Sequence, residues 1–304
     1  MFYEPPAPSE KRALRITSHK AGCALLAVCV LQLAVTPLAL LRHRLPPMGD
    51  ELWFGLLVLL SSLSVLGGTL VGKRLFRNMK QETRGKKAGA GESTLLVAAG
   101  AALCLLGNFA ALFVEKLAGR VGIEFQGAPE QVVPQSSPGL MLALLTTGLA
   151  PAVAEEILLR GTILPPLRRF GDGFAVVSTA ALFALLHQNM EQAPMAFVSG
   201  LALGWVYVRG GRLMLPVLVH LWNNAAAVAL LLLPDRAANN YVFAMMALGL
   251  LSLYLLFLRR PRKEKFICGL SPGRRAANFF FGSVAMVLAL CYFVVIIILN
   301  TSVV

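Results

Sequence analysis

Long apolar runs recur along the whole chain, separated by short polar segments, and they restrict what this chain can fold into. Of its 304 residues, 57% are hydrophobic and only 14% are charged, whereas a soluble domain is typically about a quarter charged. Several runs reach the roughly 20 residues that a helix needs to cross a bilayer. The runs are continuous and do not alternate, which argues against a transmembrane β-barrel. The sequence therefore predicts an all-α, polytopic bundle of transmembrane helices.

The apolar runs predict about nine membrane spans. They lie at residues 21–41, 52–71, 93–115, 138–164, 173–190, 192–208, 213–233, 240–258 and 277–299. With a cytoplasmic N-terminus, 22 of the 28 Lys and Arg residues fall in cytoplasmic segments and five in the opposite loops, as the positive-inside rule requires. Because the basic residues cluster between spans, the net charge of +13 predicts contact with lipid headgroups and no nucleic-acid partner.

The chain divides into four predicted parts: a cytoplasmic tail (1–20), N-terminal membrane helices without a motif (21–137), a core (138–235) and C-terminal membrane helices (236–304). The first run lacks a small-residue cleavage site, so we expect a retained helix and not a cleaved signal peptide. The five cysteines form no CxxC pair and predict neither a disulfide framework nor a cysteine zinc site. The lack of an organellar targeting signal favours a bacterial inner membrane.

Three polar islands interrupt the apolar runs of the core. They are Glu155-Glu156 with Arg160, Phe183 with His187, and His220 with Asn224. Ionisable groups are costly in hydrocarbon, so they usually line a cavity, pair with one another or do chemistry. At a rise of 1.5 Å per residue, Glu155 and His187 lie about 20 Å from the predicted cytoplasmic face and His220 about 12 Å. These depths allow one common site, although Pro165-Pro166 is expected to interrupt the helix.

The two glutamates of the first island are predicted to differ. Glu156 and Arg160 are four residues apart, so they can form an ion pair on one helix face. Glu155 points about 100° away and is left as a carboxylate without a local partner, which suits a general base. The alternative is a purely structural cluster of charges that packs two helices.

The two histidine islands are weaker signals when each is taken alone. His187 can position a water molecule, or it can simply lie near a helix end. His220 and Asn224 share a helix face and can hold an oxyanion, coordinate a metal, or form an interhelical hydrogen bond. We expect Asn223 to pack against a neighbouring helix, and Gly200 and Gly204 to permit close helix approach.

Together, the islands resemble the motif set of the CPBP family, the membrane-embedded CAAX prenyl endopeptidases and bacteriocin-processing proteases also called Abi proteins. That pattern is EExxxR, then FxxxH, then HxxxN, and it covers roughly residues 145–235. The resemblance implies that Glu155 activates a water molecule with help from His187, while His220 and Asn224 stabilise the oxyanion. Glu156 and Arg160 would hold the shape of the site.

The resemblance leaves metal dependence open. In a metalloprotease, a divalent ion such as zinc would be held by Glu155, His187, His220 and Asn224. We slightly favour a metal-free glutamate mechanism, because the partners are spread over three helices and include only one strong anionic ligand.

The predicted function is that of an intramembrane endopeptidase whose cavity opens to the cytoplasmic side. Its partners would be the lipid bilayer and a membrane-associated polypeptide, such as a lipidated or prenylated C-terminus, a leader peptide or a C-terminal sorting segment. One alternative is a proton-coupled transporter that uses the same groups as a relay, although no paired halves are visible. Another is a non-catalytic membrane protein of the bacteriocin-immunity type.

Overall fold

The computed structural model describes residues 8–40, 42, 49–79, 87–125, 133–134, 136–259, 274–299 and 301–303. Ten helices and two short strands follow one another within these residues. They are α1 (Pro8–Leu40), α2 (Asp50–Phe76), α3 (Ala90–Gly119), β1 (Ile123–Phe125), α4 (Ser137–Phe170), α5 (Asp172–Leu186), α6 (Ala193–Gly210), α7 (Met214–Leu230), α8 (Asp235–Leu258), α9 (Arg274–Phe281), α10 (Val284–Leu299) and β2 (Thr301–Val303).

Most of these helices have the character of membrane helices. Among the described residues, α1 to α4 and α8 are long and apolar enough to cross a bilayer, and α5, α7 and α10 are shorter apolar helices. Eight of the nine predicted spans each fall on one helix, whereas the span 277–299 covers α9 and α10, which are separated at Gly282-Ser283. The all-α membrane fold is therefore confirmed, while the number of crossings and the cytoplasmic N-terminus remain predictions.

The ends of several elements differ from the predicted boundaries. Helix α1 begins at Pro8, inside the predicted tail, and Leu14, Thr17 and Ser18 are already buried. The two short strands, which the apolar pattern does not predict, pair antiparallel with Ile123 opposite Val303. Three residues per strand make this a local link between two chain segments and no part of the core.

Helix α4, which carries the first polar island, runs without a break through Pro165-Pro166. Its backbone widens from α to π geometry at Leu144–Leu149 and again at Leu159–Ile163. Each wide turn comes shortly before a proline, which lacks an N–H and whose ring crowds the carbonyl four residues earlier. The predicted interruption is therefore wrong: the π turns accommodate the prolines within one continuous helical segment.

A tight turn at Gly171 folds α5 back beside α4. Gly171 has a φ of 115° and a ψ of 137°, a conformation available to glycine and strained for other residues. Arg168 and Asp172 form a buried two-point ion pair across this turn, with Nε to Oδ1 at 2.6 Å and Nη2 to Oδ2 at 3.2 Å. The turn thus sets the position of α5, and with it the position of His187, relative to the glutamates of α4.

Helix α6 packs against both α3 and α5, and α7 packs against α3 and α4. Gly200 and Gly204 permit the contact between α5 and α6: a Cβ at Gly200 would lie 2.8 Å from Ala180 Cα, and one at Gly204 would lie 2.9 Å from Val176 Cγ1. The predicted close approach at these glycines is confirmed. It brings the polar residues of α4, α5 and α7 to a common depth beside α6.

The turn at Gly171 generates a stability prediction. We expect Gly171→Ala to lower the free energy of unfolding by about 1–3 kcal/mol, because alanine is strained at this positive φ. The matched control is Gly173→Ala, two residues later, where a Cβ would meet no atom within 4 Å. Thermal unfolding of both variants in detergent checks this expectation, and equal melting temperatures would contradict it.

Candidate active site

The centre of the candidate site is a fully buried ion pair on α4. Arg160 Nη1 donates a hydrogen bond of 2.8 Å to Glu156 Oε1, and both side chains are 0% exposed. Arg160 Nη2 donates to the backbone oxygen of Gly200 on α6 at 2.9 Å. The ion pair predicted from the spacing of four residues is therefore present, and it also joins α4 to α6.

His220 on α7 lies between the two glutamates. Its Nδ1 is 3.1 Å from Glu156 Oε1, and because the ion-paired carboxylate accepts, Nδ1 carries the hydrogen. Its Nε2 is 3.9 Å from Glu155 Oε2, which is too long for a direct hydrogen bond. Glu155 Oε2 is buried and has no hydrogen-bond partner among the described residues. These two atoms therefore face each other at a distance from which both can bind one small molecule such as water.

The ring of Phe183 on α5 contacts three polar side chains of the site. The Arg160 guanidinium lies 5.0 Å from the centre of its ring, within the range of a cation–π interaction. The rings of His187 and His220 both meet Phe183 edge to face, at centroid distances of 4.9 Å and 5.5 Å. One buried aromatic ring thus holds two imidazoles and the guanidinium in fixed relation.

His187 immediately follows the last residue of α5, and its orientation is defined by the backbone. Its Nδ1 is 2.9 Å from the carbonyl oxygen of Phe183; a carbonyl only accepts, so Nδ1 carries the hydrogen and Nε2 is the open nitrogen. The next residue, Gln188, has a positive φ of 57° and donates through Nε2 to Gln32 Oε1 on α1 at 2.7 Å. Asn189 Nδ2 donates to the His187 carbonyl at 2.9 Å. His187 is therefore held from several sides.

Asn224 connects α7 to the first π turn of α4. Its Nδ2 donates to the carbonyls of Thr147 at 3.2 Å and Gly148 at 3.5 Å. Pro151 has no N–H to offer this turn, so the Asn224 amide supplies a donor there. The structure therefore gives Asn224 a helix-joining role that the resemblance does not imply.

A small cavity lies between α3, α5, α6 and α7. It is lined by Cys104, Phe183, His187, Met195, Ser199, Leu203, His220, Asn223 and Asn224. It offers about 30 Å³ to the centre of a water molecule, and one water needs about 10–15 Å³ measured in this way. Two of the predicted polar islands therefore share one cavity, and Glu155 faces His220.

Three residues of the cavity wall were missed by reasoning from the sequence. Asn223 lines the cavity, although we expected a packing role, and its position beside Asn224 within an apolar span was the available signal. Cys104 and Ser199 also line it. No signal marked these two, because small polar residues are common wherever membrane helices pack.

The side chains present do not fit a metal site. Among the described residues, no three or more His, Cys, Asp or Glu side chains lie close enough together to hold a metal ion. Hydrogen bonds at Nδ1 leave Nε2 open in both histidines, which is compatible with metal binding, but Phe183 lies against both of their rings. In the described part of the chain, His187 forms no ion pair with a carboxylate, so the predicted zinc ligands are not gathered into one coordination sphere.

Comparison with known proteins agrees with the motifs. Residues 137–226 match the family model described as type II CAAX prenyl endopeptidase Rce1-like, and this range contains all six predicted site residues. The Bacillus subtilis protein named "Putative membrane peptidase YdiL" is 25% identical over 190 residues, which make up 60% of this chain and 74% of that protein. No solved structure matches significantly. The many apolar helices show a multi-pass membrane protein, and the two matches support a membrane protease of the CPBP family.

Proposed function

We propose that the chain is an intramembrane endopeptidase that hydrolyses a peptide bond with a water molecule activated by Glu155. The observation that carries this proposal is the pair of Glu155 Oε2 and His220 Nε2, 3.9 Å apart, beside a cavity that can hold a water molecule. A carboxylate oxygen without a partner is costly in a buried place, and a reacting water would supply its hydrogen bond.

In the first step, the water donates one hydrogen to Glu155 Oε2 and the other to His220 Nε2. As the water oxygen attacks the carbonyl carbon of the substrate, its proton passes to Glu155. His220 can act as the second acceptor because Glu156 holds the hydrogen on its Nδ1. The distance of 3.9 Å between His220 Nε2 and Glu155 Oε2 supports giving His220 the role that the family resemblance implies for His187. His187 lines the same cavity with its open Nε2 and can accept a further hydrogen bond.

In the second step, the oxyanion receives hydrogen bonds from side-chain amides at the cavity wall. Asn224 lies in this wall with its Nδ2 shared between two carbonyls of α4, and Asn223 lies in the same wall. Fixed donors of this kind stabilise charge as it develops. The proton on Glu155 then passes to the leaving amine nitrogen as the peptide C–N bond breaks, which returns the carboxylate.

The proposed substrates are membrane-associated polypeptides. The site residues lie on α4, which is long enough to cross a membrane, and on the shorter apolar helices α5 and α7, so a scissile bond has to reach them from the lipid phase or its surface. A lipidated or prenylated C-terminus, a leader peptide and a C-terminal sorting segment all satisfy this condition. We further propose that the cavity opens to the cytoplasmic side of a bacterial inner membrane.

Glu155→Gln tests the proposed base. We expect kcat/KM for a quenched-fluorescent, farnesylated C-terminal peptide or a leader peptide to fall about 100-fold or more, because the amide cannot take the proton. The control Glu92→Gln removes a carboxylate in the first turn of α3 that pairs with Arg209 at 3.3 Å, and this variant should keep its turnover. Turnover should also survive a chelator. Unchanged turnover in Glu155→Gln, or a chelator-induced loss that zinc restores, would refute the mechanism.

A double-mutant cycle separates the structural role of the buried ion pair from its positioning role. Arg160→Met should lower stability by about 3–5 kcal/mol, since it leaves Glu156 charged and buried. Glu156→Leu combined with Arg160→Met should regain most of that stability, because paired apolar replacements are often tolerated. Proteolysis should stay low in the double variant, as His220 loses the acceptor for its Nδ1. Full recovery of turnover would show that the pair only stabilises the fold.

The helix-joining role of Asn224 can be separated from its proposed oxyanion role in a similar way. Asn224→Ala should lower both the melting temperature and turnover, since the π turn loses its donor. Adding Pro151→Ala restores a backbone N–H to that turn and should raise the melting temperature again. Turnover should remain about 100-fold low if Asn224 also holds the oxyanion. Recovery of kcat together with stability would contradict this second role and leave only the helix-joining one.

A further inference from the structure

A second polar site lies away from the catalytic cavity, where the beginning of α1 meets α9 and α10. We call it the basic cleft. Four of its lining residues are cationic: Lys11, Arg12, Arg15 and Lys20. Its volume is about 900 Å³, within the range of roughly 300–1,000 Å³ typical of small-molecule sites. It shares no lining residue with the catalytic cavity.

The four cations have no counterion in the described part of the chain. None of them takes part in a salt bridge there, and none of the described residues that line the cleft is acidic. Lys11 Nζ and Arg15 Cζ instead lie over the ring of Phe279 on α9, at 5.8 Å and 5.1 Å. The aromatic ring therefore holds two of the positive groups at the cleft without neutralising them.

The rim of the basic cleft is apolar. Ile16 and Val284 line it and are 43% and 73% exposed. Ile16 lies in the part of α1 that is long and apolar enough to cross a bilayer, Glu10–Leu38. A ligand there meets both positive charge and apolar surface.

Two hydrogen bonds connect α1 to the junction of α9 and α10 beside the cleft. Ser18 Oγ on α1 donates to the carbonyl oxygen of Phe280, and it lies 2.7 Å from Ser283 Oγ, between α9 and α10. Ser283 also lines the cleft. These bonds connect segments that are far apart in sequence, so the cleft lies between elements that are packed together.

From this combination we propose that the basic cleft binds the headgroup of an anionic phospholipid, with an acyl chain lying against Ile16 and Val284. Clustered Lys and Arg residues at the cytoplasmic end of a membrane helix bind acidic lipid headgroups, and the predicted topology places this end of α1 there. A free phosphate ion would use the cations and leave the apolar rim uncovered. A zwitterionic phospholipid would bring the positive charge of its own headgroup into a cleft that already holds four positive charges.

The test measures lipid binding to the full chain in non-ionic detergent by native mass spectrometry. Phosphatidylglycerol should bind more tightly than phosphatidylcholine. Lys11→Gln combined with Arg15→Gln should weaken phosphatidylglycerol binding about 25-fold, since each basic residue near an anionic lipid contributes a factor of roughly five. The control Lys116→Gln with Arg120→Gln removes the same charge from exposed positions at the C-terminal end of α3. This variant should bind phosphatidylglycerol as the wild type does.

Three outcomes would overturn the proposal. Equal binding of the two lipids by the wild type excludes selection by charge, and this comparison holds even if the double variant fails to fold. Equal loss in the cleft variant and in the control variant excludes the cleft as the site. Displacement of phosphatidylglycerol by millimolar inorganic phosphate would show that the cleft binds the phosphate ion alone.

Discussion

The arrangement of the candidate site depends on the buried ion pair of Glu156 and Arg160. Glu156 accepts from Arg160 on its own helix and from His220 on α7, while Arg160 also donates to Gly200 on α6 and lies over Phe183 on α5. Four helices are thus joined around one pair of charges. Burying each ion costs several kcal/mol, and apolar residues of similar volume often serve stability as well or better. The advantage of the pair therefore lies in position: it defines which nitrogen of His220 is open and where that nitrogen points.

Two adjacent carboxylates have different surroundings because of helix geometry alone. Successive residues on a helix point about 100° apart, so Glu156 turns toward Arg160 while Glu155 turns toward His220 Nε2. Glu156 Oε1 accepts two hydrogen bonds, and Glu155 Oε2 accepts none among the described residues. Glu156 Oε2 also lacks a partner among the described residues, but only Glu155 Oε2 faces the open Nε2 of His220, at 3.9 Å. In the proposed mechanism, Glu156 therefore orients its neighbours and Glu155 takes the proton.

The parts of this site that could be predicted are those controlled by local geometry. Spacing along one helix was enough to place Glu156 against Arg160 and to separate Glu155 from both. Apolar length predicted the membrane helices, and small residues predicted the approach of α5 to α6. The partner of Asn224, the place of Asn223 in the cavity wall and the proximity of His220 to Glu155 depend on how α7 docks against α4. That docking involves π turns and backbone carbonyls, and no pattern of side chains in the sequence records either. For the same reason, the sequence predicts an interruption of the helix at Pro165-Pro166 that the structure does not have.

The prolines explain why this docking works at membrane depth. In hydrocarbon every backbone polar group needs an internal partner, and Pro151 removes one donor from the turn that contains Thr147. The π geometry of Leu144–Leu149 displaces the carbonyls of that turn, and the Asn224 amide on α7 reaches them. Because Asn224 lies one helical turn after His220, the bond that satisfies α4 also determines the depth of His220 beside Glu155. A proline that would weaken an isolated helix thereby creates the point at which α7 is attached, and the Asn224 that binds there lies four residues after His220.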